Sequence, residues 1–388
     1  MRILGTICGQ RVPSALEIDG DTIESLKPAG ARAKADLGGR DVLIAPALLD
    51  LQVNGFEGHD LNGDDVSADE VSAIAGALHR RGVGMFCPTV CTGAFAQMAA
   101  SLKAVAAACA DKRVEAAVAG VHIEGPYISS EDGPRGAHPR DHTRDPNWDE
   151  FSRFQEAAGG HIRIVTLAPE RPGAIRFIER LAAAGVVPAI GHTGASADEI
   201  RAAVRAGARL STHLGNGAHA LIPRHPNYIW EQLAADELWA SIIADGHHLP
   251  PAVVKCMVRC KGPARTILVS DAVHLAGCPP GEYEFGGRAV ELTPEGKVQL
   301  KGTPYLAGAA LELARGVANA VRFAGVSLAE AVGMATLNPA RLLGMDDRFG
   351  SVGPGREASL ILFRWHEGAT EMEISHTILR GEVVFKAS

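Results

Sequence analysis

Seven residues that can bind a metal or carry a proton each close a short apolar run. They are Glu124 in VHIEGPY, His192 in AIGHTGA, His213 in LSTHLGN, Asp245, His247 and His248 in ADGHH, and Asp271 in LVSDAV. Charged side chains are rarely buried unless they are paired or hold a metal. A single histidine at the end of an apolar run is unremarkable. Glutamate, two histidines and aspartate at four run ends form a pattern. Two imidazoles with a carboxylate suit a divalent transition metal, most simply zinc with one open position. A further carboxylate beside such a metal can take a proton from the water it acidifies and pass that proton to a leaving group. Asp271 is the candidate for that task. It could equally be a fourth ligand or could hold a ligating histidine.

Something must bring these run ends to one place. Eight β-rich runs recur in the middle of the chain, starting near residues 47, 82, 116, 162, 186, 208, 239 and 266. Helical stretches lie between them, such as 68–81, 173–184, 196–206 and 250–260. Eight β-then-α units predict an α/β fold, a (β/α)8 barrel of TIM type, with its site at the carboxyl ends of the strands. A doubly wound open sheet would need a Gly-rich phosphate turn after an early strand, and no clean G-x-G-x-x-G is present. Both ends of the chain instead alternate apolar and polar residues with period two. They predict a small β-sandwich domain built from both chain termini, residues 1–46 and 350–388, around a catalytic barrel at 47–349.

The composition sets limits on partners. The chain has 388 residues, 46% hydrophobic and 21% charged, with net charge −7. That balance argues against a nucleic-acid surface. No apolar run is long enough to span a membrane. The start lacks the basic-then-apolar pattern of a signal peptide. Seven cysteines read as reduced thiols of a cytoplasmic protein. Cys256 and Cys260, four apart on a predicted helix, read as buried small hydrophobes, and His79 reads as a surface residue. The polar stretch 128–160 is a long insertion after the third strand, of the kind that carries function. GCPPGEYEFGG (277–287) reads as a turn.

The motifs HIEGPY, GHTGA, THLGN, ADGHH, LVSDA and GTPYLAGAA occur in that order. LAPE (167–170), NPAR (338–341) and GSVGPGREASL accompany them. Together they resemble the N-acetylglucosamine-6-phosphate deacetylase family of the amidohydrolase superfamily, over nearly the whole chain. The resemblance implies hydrolysis of an N-acetyl amino sugar 6-phosphate to acetate and the free amine. It places one divalent metal ion per chain, zinc, on Glu124, His192 and His213, and catalytic acid–base work on Asp271. Substrate contacts fall on His138, on Asn216 and the backbone of Gly217, on Arg224 and on His248. The family's arginine comes from a neighbouring subunit, which implies a homodimer. The departures lie at the sugar and phosphate end: Gly215-Asn216-Gly217, then His225-Pro226-Asn227, and Pro304, Tyr305 and Ala309. A different N-acetylhexosamine, unphosphorylated or galacto-type, or another N-acyl compound therefore stays an alternative. Many amidohydrolases hold a second metal with His-x-His on the first strand, where this chain has Gln52 and Asn54. Amides are poor zinc ligands beside imidazole. The expectation is a single metal, with Gln52 and Asn54 lining the cavity and His122 as a partner behind the ligands.

Overall fold

The eight apolar runs become eight parallel strands, each hydrogen-bonded to the next in sequence order. They are β1 (Leu48–Val53), β2 (Val83–Cys91), β3 (Val121–Glu124), β4 (Ile162–Leu167), β5 (Val187–Ile190), β6 (Leu210–Ser211), β7 (Trp239–Ile242) and β8 (Thr266–Leu268). The chain just past β8 meets β1 through a parallel bridge between Val53 and Ala272. Two hydrogen bonds flank that bridge, Asp271 N to Gln52 O at 3.0 Å and Asn54 N to Ala272 O at 2.8 Å. The barrel is thus closed at its carboxyl end. This computed structural model describes all residues except Arg32, Gly286, Gly287, Pro304, Tyr305 and Ser388. The Pro304 and Tyr305 of the GTPYLAGAA motif therefore lie outside the described residues.

Helices return the chain between strands, and their ends follow from sequence. The helix Ala197–Ala206 starts with a capping box between Ser196 and Glu199 and buries Ala197, Ile200 and Ala203 on one face. The helix Pro251–Lys261 buries Val254, Met257 and Val258. That stripe leaves Cys256 and Cys260 exposed, so the expected burial of these two cysteines is not found. His79 departs in the opposite direction. It is buried, and its Nδ1 lies 3.0 Å from the carbonyl oxygen of Val83.

Both termini meet in one β unit. Seven strands form a continuous mixed sheet, with Leu37–Pro46 between Arg2–Ile7, its parallel neighbour, and Leu360–Arg364, its antiparallel neighbour. Ile3, Leu16 and Ile23 from the amino end share one apolar core with Leu360, Leu362 and Ile378 from the carboxyl end.

GCPPGEYEFGG is not simply a turn. Gly281–Phe285 is the first strand of a four-stranded antiparallel sheet completed by Arg288–Leu292, Lys297–Leu300 and Leu306–Ala309. This sheet is inserted between β8 and the helix Leu313–Ala324, and it has its own small core of Val290, Leu292 and Val298. The 128–160 insertion contains a short helical turn, Arg140–His142, and then the helix Trp148–Ala157, which serves as the third return helix.

Candidate active site

Glu124 ends β3, and its Oε1 is the centre of the site. His192 Nε2 lies 3.0 Å from it, His213 Nε2 2.8 Å, and Gln52 Nε2 donates to it at 2.9 Å. The two imidazole nitrogens are 3.1 Å apart. All three side chains of the Glu–His–His set are buried. His138, delivered by the 128–160 insertion, joins them with its Nε2 3.3 Å from His192 Nε2.

These contacts test whether the set suits a cation. Pro134 O lies 2.9 Å from His192 Nδ1, and a carbonyl can only accept, so Nδ1 carries the hydrogen. A neutral His192 then aims a bare Nε2 at a carboxylate oxygen and at two more imidazole nitrogens. A bare His192 Nε2 facing a carboxylate oxygen at 3.0 Å calls for a positive charge between them. A proton can supply it, and so can a divalent metal, which would match the two-imidazole, one-carboxylate donor set. The same demand shows in the titration behaviour. Burial alone would raise the Glu124 carboxyl, but positive charge at the His192 and His213 rings beside it outweighs burial and holds it well below the usual carboxylate range. Burial opposes charge on His213, yet the hydrogen bond and charge of Glu124 push it up. The residues fit a divalent ion.

Backbone conformation reinforces this. His192, His213 and Asp271 have φ of 50°, 29° and 51°, in the left-handed region that non-glycine residues rarely adopt. Such outliers persist only where surrounding structure over-determines them, and they collect at functional sites.

The two amides on β1 have separate tasks. Gln52 orients Glu124, while Asn54 Nδ2 donates to Asp271 Oδ1 at 2.8 Å. Asp271 is pushed up to about 6 by burial and then by the Glu124 charge, with His213 and His248 opposing. His122 lies within the barrel wall. Its Nδ1 is 3.1 Å from Leu51 O and its Nε2 2.7 Å from Thr166 Oγ1, which continues to Thr212 Oγ1 at 2.7 Å. Burial lowers His122 to about 4. It is a neutral structural bridge across strands, not a direct partner of a ligand.

The expected substrate residues are only partly assembled. Asn216 N and Nδ2 both donate to the His213 carbonyl. His248 is held by Asp245, with Nδ1 to Oδ2 at 2.6 Å, and its backbone N–H also reaches Asp245. Arg224 is in an exposed segment, 220–226, that ends at buried Asn227, the cap of the helix Tyr228–Ala234. Among the described residues no hydrogen bond or ion pair links the Arg224 side chain to these groups.

Gly217 has a clear reason to be glycine here. Its φ is 54°, and a Cβ added there would lie 2.7 Å from His192 Nδ1. Gly217→Ala is therefore expected to displace the His192 ring and cost about 1–3 kcal/mol. Thermal melting and competition with a chelator check this. Unchanged melting and unchanged metal affinity would rule out the close packing.

Two residues escaped the sequence reading. Cys91, the last residue of β2, donates its thiol to Asn54 Oδ1 at 3.0 Å and faces Glu124 Oε2 at 3.6 Å. Burial and the Glu124 charge keep that thiol protonated. Asp50, fully buried on β1, accepts from Ser270 N with both oxygens and from Gln52 N, and so pins the chain before Asp271 to the first strand. Asp50 is two before Gln52, so period two placed it on the same face. Cys91 closes its apolar run as Glu124 closes the next.

The model of the Amidohydrolase family matches residues 43–384. The N-acetylgalactosamine-6-phosphate deacetylase of Escherichia coli O157:H7 is 35% identical over 319 residues, covering 82% of this chain and 83% of that one. The N-acetylglucosamine-6-phosphate deacetylase of Vibrio furnissii is 31% identical over 370 residues, covering 95% and 89%. In structure, the N-acetyl-D-glucosamine-6-phosphate deacetylase of Mycobacterium smegmatis superposes with a TM-score of 0.88 at 28% identity, covering 99% of this chain and 100% of that one.

Proposed function

Because this chain belongs to the amidohydrolase family, and within it to the N-acetylglucosamine-6-phosphate deacetylases, we propose that it removes the acetyl group from an N-acetylhexosamine 6-phosphate. The preferred substrate is N-acetylglucosamine 6-phosphate, giving glucosamine 6-phosphate and acetate. The observation that carries this reading is the convergence of Glu124, His192 and His213 on one point, with Asp271 held beside them by Asn54.

A zinc ion held by Glu124, His192 and His213 would polarise the acyl oxygen and acidify the attacking water. Asp271 takes that water's proton and later returns it to the departing amine nitrogen. Asn54 holds the Asp271 Oδ1 in place, and among the described residues Oδ2 has no such partner in the site. Gln52 donates its amide hydrogen to Glu124, which supports reading it as an orienting group and one metal per chain. His138, Asn216, the Gly217 backbone and His248 are assigned to the sugar phosphate. Arg224 is assigned to the phosphate of a neighbouring subunit in a homodimer. Its exposed position supports this, as do the neighbouring exposed apolar residues Leu221, Ile222 and Trp230. The seven free cysteines support a cytoplasmic location. Among the described residues no helix is long and apolar enough to cross a membrane.

A second reading has a specific basis. The 35% identity to an N-acetylgalactosamine-6-phosphate deacetylase favours the galacto epimer as an alternative substrate. Acetate release from gluco and galacto N-acetylhexosamines, each with and without 6-phosphate, decides between them. If the phosphorylated forms are hydrolysed no faster than the free sugars, the phosphate assignment is wrong. Arg224→Ala should raise KM for the phosphorylated substrate about 10- to 100-fold, the worth of a hydrogen bond to a charged group. It should leave the unphosphorylated substrate unaffected. Light scattering at assay concentration tests the dimer, and a monomer would overturn the shared site.

A further inference from the structure

We propose that Glu170, just beyond the end of β4, is a positioning residue for His192. This inference rests on reading His192 as a metal ligand. Glu170 reaches across to the turn that follows β5 and uses both carboxylate oxygens there. Oε2 accepts from Thr193 Oγ1 at 2.5 Å, and Oε1 accepts from Gly194 N at 2.8 Å. Thr193 Oγ1 in turn accepts from Ala195 N at 3.0 Å. The three residues after His192 are thereby tied to the neighbouring strand.

The turn needs such a tie. His192 is held at φ 50°, a conformation that costs of order 1–3 kcal/mol and persists only under constraint. Three anchors supply the constraint. Ser129 N donates to the His192 carbonyl at 3.0 Å, and Pro134 O takes the ring's Nδ1 hydrogen. These two are backbone contacts from the 128–160 insertion. Glu170 is the side-chain anchor on the opposite flank. A carboxylate suits the task because it only accepts hydrogen bonds and has two oxygens for two adjacent donors. An alanine there would leave the Thr193 hydroxyl and Gly194 N–H without their partner. The turn would relax toward ordinary φ, and His192 Nε2 would swing off the point it shares with Glu124 and His213.

The test compares wild type with Glu170→Ala, Thr193→Val and Thr193→Ser. Thr193→Val removes one arm of the tie with almost no change of shape, and Thr193→Ser keeps it. Each protein is loaded with zinc and, separately, with cobalt(II). Zinc release to a chelator, the visible cobalt spectrum, kcat and KM, and melting of the metal-free protein are measured. Glu170→Ala and Thr193→Val should release zinc about 10-fold faster or more, in the range seen for residues that orient ligands. Their cobalt bands should shift, and kcat should fall at unchanged KM. Thr193→Ser should behave as wild type. Wild-type zinc release and an unchanged cobalt spectrum in Thr193→Val would overturn the proposal. So would a loss confined to lowered melting of the metal-free protein. If wild type itself takes up neither metal, the ligand assignment fails first, and the role of Glu170 falls with it.

Discussion

Asp271→Asn should abolish turnover while leaving metal content at the wild-type level. The substitution keeps shape and keeps an oxygen to accept from Asn54 Nδ2, now at 2.8 Å. It removes the one property the reaction draws on, the ability to take a proton from water and give it to nitrogen. General acid–base groups contribute about 100- to 10,000-fold. In the proposed reaction Asp271 serves both proton transfers, so the loss should lie at the upper end. Acetate release measured beside metal analysis of the same sample separates chemistry from binding. Near-normal activity in the variant would sink the assignment. Loss of metal together with activity would make Asp271 a ligand.

Glu124→Gln should fail differently, through the metal itself. Glu124 Oε1 is the point on which His192, His213 and Gln52 converge. A neutral amide cannot balance a dication, and it brings an NH2 group close to Gln52 Nε2, itself a donor. Residues that only orient ligands are worth about 10- to 100-fold in affinity. Losing a ligand should exceed that, so metal content and turnover should fall together. Added zinc should restore part of the activity. A variant with full metal content and no activity would show that Glu124 is not a principal ligand.

The sequence made the barrel legible because its strands are largely buried on both faces and several carry a polar residue at or just beyond the carboxyl end. β1 is buried at every position, which is why LLDLQV reads as one apolar block despite Asp50 and Gln52. The strand ends gave the Glu–His–His–Asp set for the same reason. What spacing cannot show is which amide faces which acid. Gln52 goes to Glu124 and Asn54 to Asp271 because of how the closed barrel staggers its strands, a property of the whole sheet. Residues such as Cys91 and Glu170 look ordinary alone and acquire meaning only from neighbours on adjacent strands. The inserted sheet at 281–309 was hidden by its charged, glycine-bounded strands, whose ladder partners are close in sequence but whose apolar residues are few. Cys256 and Cys260 were misjudged because being four apart fixes that two residues share a helix face but not which face points inward.

The seam of the barrel has a consequence for how the molecule comes into being. Asn54 and Asp271 are 217 residues apart, and they meet only where the first strand closes on the last. The candidate metal ligands instead lie between 124 and 213, at or just past the ends of β3, β5 and β6. A chain emerging from the ribosome carries all three candidate ligands long before it carries Asp271, the proposed acid–base group. No amino-terminal fragment that stops before residue 271 can be active, however well it binds zinc. Pairing of such high sequence separation is slow to form. The candidate metal set and the proposed acid–base group thus draw on different parts of the barrel, the inner strands and the seam between its distant ends.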